Sequence, residues 1–370
     1  MSSETLNKDV LISAGSVSAY KIPTEEPESD GTLQWDHTTL VLVRLKSDEK
    51  EGIGYTYADA ATARLIQQTL LPLIKDESAM NIDRLWYKMR HKLRNLGNAG
   101  ISAMAVSAVD NSLWDLKAKL LDLPLCTLLG QVKEEMPVYA SGGFTSYDPG
   151  EIAEKFQEWK EEGHNTFKMK IGRNWGEDLE RMSSARFAIG RSQLFVDANG
   201  AYYPKDALAM AQEMTAFDVR WFEEPVTSDD LEGMKFVRER LPVNNRLSSG
   251  EYGYTLSYFK RMLSAEAIDV LQADATRCEG ITGFLKAHTL CESFHRPFSS
   301  HCAPALHLHP ALSLKNIIHM EYFRDHVLIE RELFDGTPIA KDGKLKPDLS
   351  RPGHGLEFKT KDAAKYQINF

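Results

Sequence analysis

Cysteine is scarce and unpaired: Cys126, Cys278, Cys291 and Cys302 form no CxxC, so neither a zinc knuckle nor a disulfide framework is expected. They read as small buried hydrophobes, and Cys302, although beside His301, has no nucleophile motif around it. No segment approaches the ~18 uninterrupted apolar residues of a membrane span. The start, MSSETLNKDVLIS, lacks a basic region followed by an apolar core. A cytoplasmic protein with no membrane partner is therefore expected. Long basic runs are also missing: 44 Lys and Arg against 53 Asp and Glu leave a net charge of -9, which argues against nucleic acid. A glycine-rich phosphate loop is absent too, because SGGFTSYDPG is not GxGxxG. No organic cofactor is expected.

What is present suits an ordinary globular chain, long enough at 370 residues for a large barrel-type domain and a smaller companion. Near the N-terminus, the period-two runs VSAYKI and TTLVLVRL flank PTEEPESDGTLQWDH. This predicts two strands joined by a long loop that acts as a lid, with Trp35 folding onto something beneath. The period then turns helical through ARLIQQTLLPLI, DRLWYKMRHKL and ISAMAVSAVDNSLWDLKAKLLDL, the last rich in Ala and Ser and suited to close packing. Residues 1–132 thus read as an α+β unit. After Lys133, eight short apolar runs alternate with amphipathic helical segments, which signals parallel strands covered by helices and an α/β class. Eight such units favour a closed (β/α)-barrel.

In a barrel of this kind, chemistry sits at the C-terminal strand ends. The predicted ends carry Lys168 and Lys170, Asp197 and Asn199, Glu223 and Glu224, Glu251, Asp274, His301 and Glu321. One charged strand end is an ordinary ion pair; a run of them is not. Asp197, in FVDANGAY, is costly at the end of a buried strand without a partner. Asp197, Glu223 and Glu251 are spaced by 26 and 28 residues, so a barrel brings them together, where a cation must offset their repulsion. All-oxygen ligation suits Mg²⁺, with Mn²⁺ fitting almost as well. Lys168 and Lys170 share a strand face, and their mutual repulsion is expected to lower a lysine pKa toward that of a working base. Asp274 would orient His301 as a second acid or base. A metal with acid/base groups on both sides suits removal of a proton next to a carboxylate. Glu321, if protonated, could hydrogen-bond the developing enolate.

With KMK, VDANG, FEEP, SGE, the Asp274 and His301 pair and Glu321 following DLKAKLLDLPLCTLLG, the chain resembles the enolase superfamily, and within it the mandelate racemase subgroup, over nearly its whole length. The resemblance implies an enolase-type modified TIM barrel over residues 133–325, an N-terminal α+β capping domain over 1–132, and a C-terminal segment, 326–370, packing back on the cap. It implies Asp197, Glu223 and Glu251 as Mg²⁺ ligands, Lys170 as one base and His301, oriented by Asp274, as the other. Lys168 would support Lys170 and the substrate carboxylate, and Glu321 would donate to the enolate. Glu224, pointing the other way, would make a structural pair. The chain departs from the family pattern at LLGQ and at TRCEGITG. His307 and His309 either line a pocket or serve packing.

Members of this subgroup act on hydroxy acids, so the implied reaction is dehydration of an acid sugar, an aldonate or aldarate, to a 2-keto-3-deoxy acid. Racemisation or epimerisation and sugar-lactone cycloisomerisation use the same residues. A silent ligand-binding barrel would have no need of Lys170, Asp274 and His301. The lid sequences PTEEPESDGTLQWDH and GIGYTYADA mix polar and aromatic side chains, which leans toward a polyhydroxy acid. Asn199, Trp35, His37 and Tyr55 are the predicted substrate contacts. The partner is then a small-molecule carboxylate, and a homo-oligomer is expected.

Overall fold

Continuous apolar runs such as TTLVLVRL imply strands covered on both faces, and the computed structural model shows how. It describes residues 10–370, so the leader reading of the first nine residues lies outside it. Strands β1 (Ala14–Ser29), β2 (Gln34–Ser47) and β3 (Lys50–Tyr57) form an antiparallel sheet. Along β2, Val41, Val43 and Leu45 pack with the cap helices, while Leu40 and Leu42 join the main core shared with the barrel.

The predicted long lid loop is instead a hairpin arm. β1 and β2 stay paired from Ala14↔Lys46 to Pro23↔His37 and, after a bulge, at Glu28↔Trp35. Only residues 30–33 turn, with Asp30 Oδ1 accepting the Thr32 and Leu33 N–H groups at 2.7 Å. Ladder hydrogen bonds come from the backbone, so a polar, acidic sequence can extend an arm beyond its apolar base.

The helix Ile101–Leu120 lies hard against β3. A Cβ on Gly54 would sit 2.2 Å from Ser112 N, and one on Gly52 2.5 Å from Leu116 N, so only glycine permits this approach. The same helix crosses to the barrel through its buried polar face. Ser107 Oγ, Asn111 Oδ1 and Asp110 Oδ2 accept the N–H groups of Gly280, Ile281 and Thr282 at 2.9, 3.0 and 2.8 Å. These are first-turn donors of the helix Gly280–Ser293, which its own sequence leaves without a side-chain cap.

Each predicted barrel run is a strand: β4 (Met136–Ser141), β5 (Thr166–Lys170), β6 (Gln193–Asp197), β7 (Val219–Glu223), β8 (Arg246–Ser249), β9 (Val270–Ala273), β10 (Phe298–Ser300) and β11 (Ile317–Phe323). They are parallel, and β11 pairs back on β4 to close the barrel. The C-terminal segment serves both units. After β12 (Phe334–Asp335), β13 (Lys344–Leu345) pairs with the start of β4. β14 (Glu357–Phe358) then pairs with β12, and β15 (Gln367–Ile368) joins β1 of the cap. Among the described residues, no helix is long and apolar enough to cross a membrane.

Candidate active site

Parallel register brings strand ends level. Lys170 pairs with Asp197 across β5 and β6, and Asp197 with Glu223 across β6 and β7. Glu251 lies beyond β8, where Gly250 (φ 142°) presses so close to β9 that a Cβ would meet Gln272 O at 1.9 Å. One oxygen from each of Asp197, Glu223 and Glu251 falls within 4.8 Å of the others, and all three residues are buried. Glu251 Oε2 is buried without a hydrogen bond. Clustered oxygen donors with an unsatisfied acceptor fit a hard divalent cation.

Lys168 Nζ lies 2.9 Å from both Glu223 oxygens and 2.7 Å from Glu321 Oε1. Lys170 Nζ donates to Asp197 Oδ2 at 2.6 Å. The expected depression of a lysine pKa is not what these surroundings produce. Burial disfavours both ammonium groups, yet Glu223 and Glu321 around Lys168, and Asp197 beside Lys170, outweigh it and raise both. The neighbouring carboxylates decide the sign. Glu321 likewise departs from the protonated form anticipated for it. Burial opposes its charge, but Lys168 overcomes this and holds it well below the usual carboxylate range. Ser141 Oγ at 2.6 Å and Cys302 N at 2.8 Å donate to its two oxygens.

His301 Nδ1 meets Asp274 Oδ2 at 2.8 Å. An ionised carboxylate only accepts, so Nδ1 carries the proton, and Nε2 meets Cys302 Sγ at 3.2 Å and lies 3.4 Å from Glu251 Oε2. Against burial, His301 holds Asp274 well down, while Glu251 and Asp274 raise His301. Beneath the triad, Trp221 Nε1 donates to Glu223 Oε2 at 3.0 Å. Backbone strain collects here: Glu224, Cys302 and Ala303 are non-glycine residues at positive φ. Lys170, Glu251, Asp274, His301 and Glu321 open onto one cavity of about 410 Å³ beneath the cap.

Two family models match the chain, "Mandelate racemase / muconate lactonizing enzyme, N-terminal domain" over residues 21–130 and "Enolase C-terminal domain-like" over 151–363. The chain belongs to the enolase superfamily, in the mandelate racemase subgroup. This superfamily member is 31% identical over 348 residues to the 3,6-anhydro-alpha-L-galactonate cycloisomerase of Streptomyces coelicolor, spanning 91% of this chain and 94% of that one. It is 28% identical to the L-talarate/galactarate dehydratase of Salmonella typhimurium, spanning 88% and 81%. A solved mandelate racemase/muconate lactonizing enzyme-like protein from Rubrobacter xylanophilus superposes with a TM-score of 0.95 at 45% identity, covering 97% of this chain and 100% of that one. A racemase from Streptomyces coelicolor A3(2) with bound magnesium gives 0.91 at 28% identity, covering 97% and 100%.

Within this superfamily fold, Trp35, His37 and Asn199 line the cavity. Tyr55 does not: it is buried, and its hydroxyl donates to Glu330 Oε1 at 2.6 Å. Tyr57, on the same strand face but nearer the strand end, takes the lining position. Glu224 is buried and accepts from Ser249 Oγ at 2.8 Å, a hydrogen bond in place of an ion pair. His307 and His309 serve packing: His307 Nε2 accepts from Ala275 N at 2.8 Å and His309 Nδ1 from Cys126 N at 3.2 Å. Cys302 lines the cavity, its thiol pushed up by burial. Arg277, 3.2 Å from Glu251, and Asp325 also line the cavity and were not anticipated. Arg277 sits in the divergent TRCEGITG, three residues past Asp274, and that departure was its one signal.

Proposed function

We propose that the protein is a Mg²⁺-dependent lyase that removes the proton α to the carboxylate of an acid sugar and expels the β-hydroxyl, giving a 2-keto-3-deoxy acid. The observation that carries this reading is the placement of Lys170 and the His301–Asp274 pair on either side of three converging carboxylates around one cavity. Asp197, Glu223 and Glu251 would hold the Mg²⁺, which stabilises negative charge on the substrate carboxylate. Lys170, in its neutral form, takes the α-proton; the Cα–H electron pair moves into the enolate and then into the new C=C bond as the β C–O bond breaks. His301 delivers a proton so that the hydroxyl leaves as water, and the enol tautomerises to the keto acid. Lys168, fully buried and not part of the cavity lining, holds Glu223 and Glu321; Glu321 donates to the enolate only if it takes up a proton in the complex. The dehydratase among the relatives supports this reading.

A second reading is favoured by the cycloisomerase relative: the same α-proton abstraction with a ring oxygen, in place of hydroxide, as leaving group. Incubation with aldonates, aldarates and their lactones or anhydro forms in Mg²⁺, scoring keto-acid formation and α-deuterium exchange, separates the two. Keto acid from open-chain acids is expected, and Lys170→Ala and His301→Asn are each expected to lose at least about 10²-fold in rate. Exchange without keto acid would sink the lyase reading.

A further inference from the structure

The cavity holds polar atoms that the proposed chemistry leaves unused. Asp325, just beyond β11, is 6% exposed, lines the cavity and pairs carboxyl to carboxyl with Glu28. Tyr57 OH, Thr276 Oγ1 and Asn199 Oδ1 are buried and unpartnered, and these residues line the cavity as well. Beside Asp325 lies Glu28, which accepts Trp35 Nε1–H at 3.0 Å. Burial, together with Asp325, pushes Glu28 up to about 10, so Glu28 keeps its proton beside Asp325, which burial raises as well.

Each free atom is an acceptor or a hydroxyl, and each is satisfied by a ligand O–H. A carboxylate donates nothing and would meet the carboxyl of Asp325. The lining cations are already engaged at the metal end: Lys170 is 2.6 Å from Asp197, Arg277 3.2 Å from Glu251, and His301 2.8 Å from Asp274. His37 is turned to Asp36, and burial pushes His326 down to about 3, so it stacks uncharged on Tyr57. Among the described lining residues, Lys170, Arg277, His301 and His37 each already face a carboxylate.

Building on the α-proton chemistry above, we propose that the substrate is a monocarboxylate whose far end carries hydroxyl groups, and that Asp325, with Tyr57, selects it against the dicarboxylate of the same carbon skeleton. Asp325 and Tyr57 act as specificity residues that bind the sugar tail.

The test compares hexonic acids with the corresponding hexaric acids in Mg²⁺, by kcat/KM on the parent and by calorimetric binding to Lys170→Ala. The hexonic acid is expected to lead by at least about 100-fold in both readouts. Asp325→Asn, checked for an unchanged melting temperature, should narrow the ratio below about tenfold. Tyr57→Phe should lower kcat/KM for the hexonic acid about tenfold while leaving Mg²⁺ affinity unchanged. Equal or better use of the hexaric acid overturns the selectivity, as does unaltered discrimination in Asp325→Asn. Hexonate-selective binding without α-proton exchange would instead defeat the lyase reading and leave the selectivity standing.

Discussion

Asp197 is fully buried, and two donors hold it, Lys170 Nζ at 2.6 Å and Asn199 N at 2.9 Å. The sequence made its position costly; these donors account for it. Trp221 has no such advance signal, since an aromatic within a strand reads as core, yet its indole N–H orients the neighbouring Glu223. Trp221→Phe keeps the packing and removes that bond, so Mg²⁺ affinity measured by titration should fall about 10- to 100-fold. Glu330 offers a pH test. Burial pushes it up to about 8 despite donors from Tyr55 and Ala305 N. The folded state therefore binds the proton more tightly than the unfolded chain. Its stabilising contribution is complete below about pH 4 and is lost as pH rises to about 8. Glu330→Gln removes that loss. Its margin over the parent in denaturant titrations should grow between pH 5 and 8, by about 2–4 kcal/mol; a margin independent of pH would refute the assignment.

The barrel strands were legible because parallel strands buried on both faces leave short apolar runs at regular intervals, and their ends fell within two residues of Lys170, Asp197, Glu223, Glu251, Asp274, His301 and Glu321. The hairpin arm was not legible, because its pairing is carried by the backbone and its side chains are acidic. The helix Ile101–Leu120 lies between these cases. Its small residues announced close packing, but the partner of its Ser107, Asp110 and Asn111 face, a barrel helix about 170 residues later, had no sequence signal. Asp110 also accepts Thr282 Oγ1 at 2.7 Å. Asp110→Ala strands two buried donors and should cost about 2–4 kcal/mol in chemical denaturation. A loss under about 0.5 kcal/mol would mean that water replaces the cap.

For the molecule as a whole, a cation held by the proposed triad would couple metal to stability. Three buried carboxylates without a cation repel one another, and an ion bound only by the folded state stabilises by mass action, about 2.7 kcal/mol at a concentration of 100 Kd. Addition of Mg²⁺ to chelator-treated protein should raise the melting temperature, and Asp197→Asn should abolish most of that rise. A full rise in the variant would remove Asp197 from the metal site.

Sequence spacing alone carried the barrel, the three converging carboxylates, the Lys170 strand and the Asp274–His301 pair, because parallel register turns equal strand positions into neighbours in space. It could not say that Tyr57 rather than Tyr55 reaches the cavity, since alternation assigns a face but not a depth along the strand. Nor could it say that Glu321 is ionised, that Arg277 balances Glu251, or that Glu28 and Asp325 meet. Those depend on which charges lie within a few ångströms after burial, and only the packing of cap against barrel decides that.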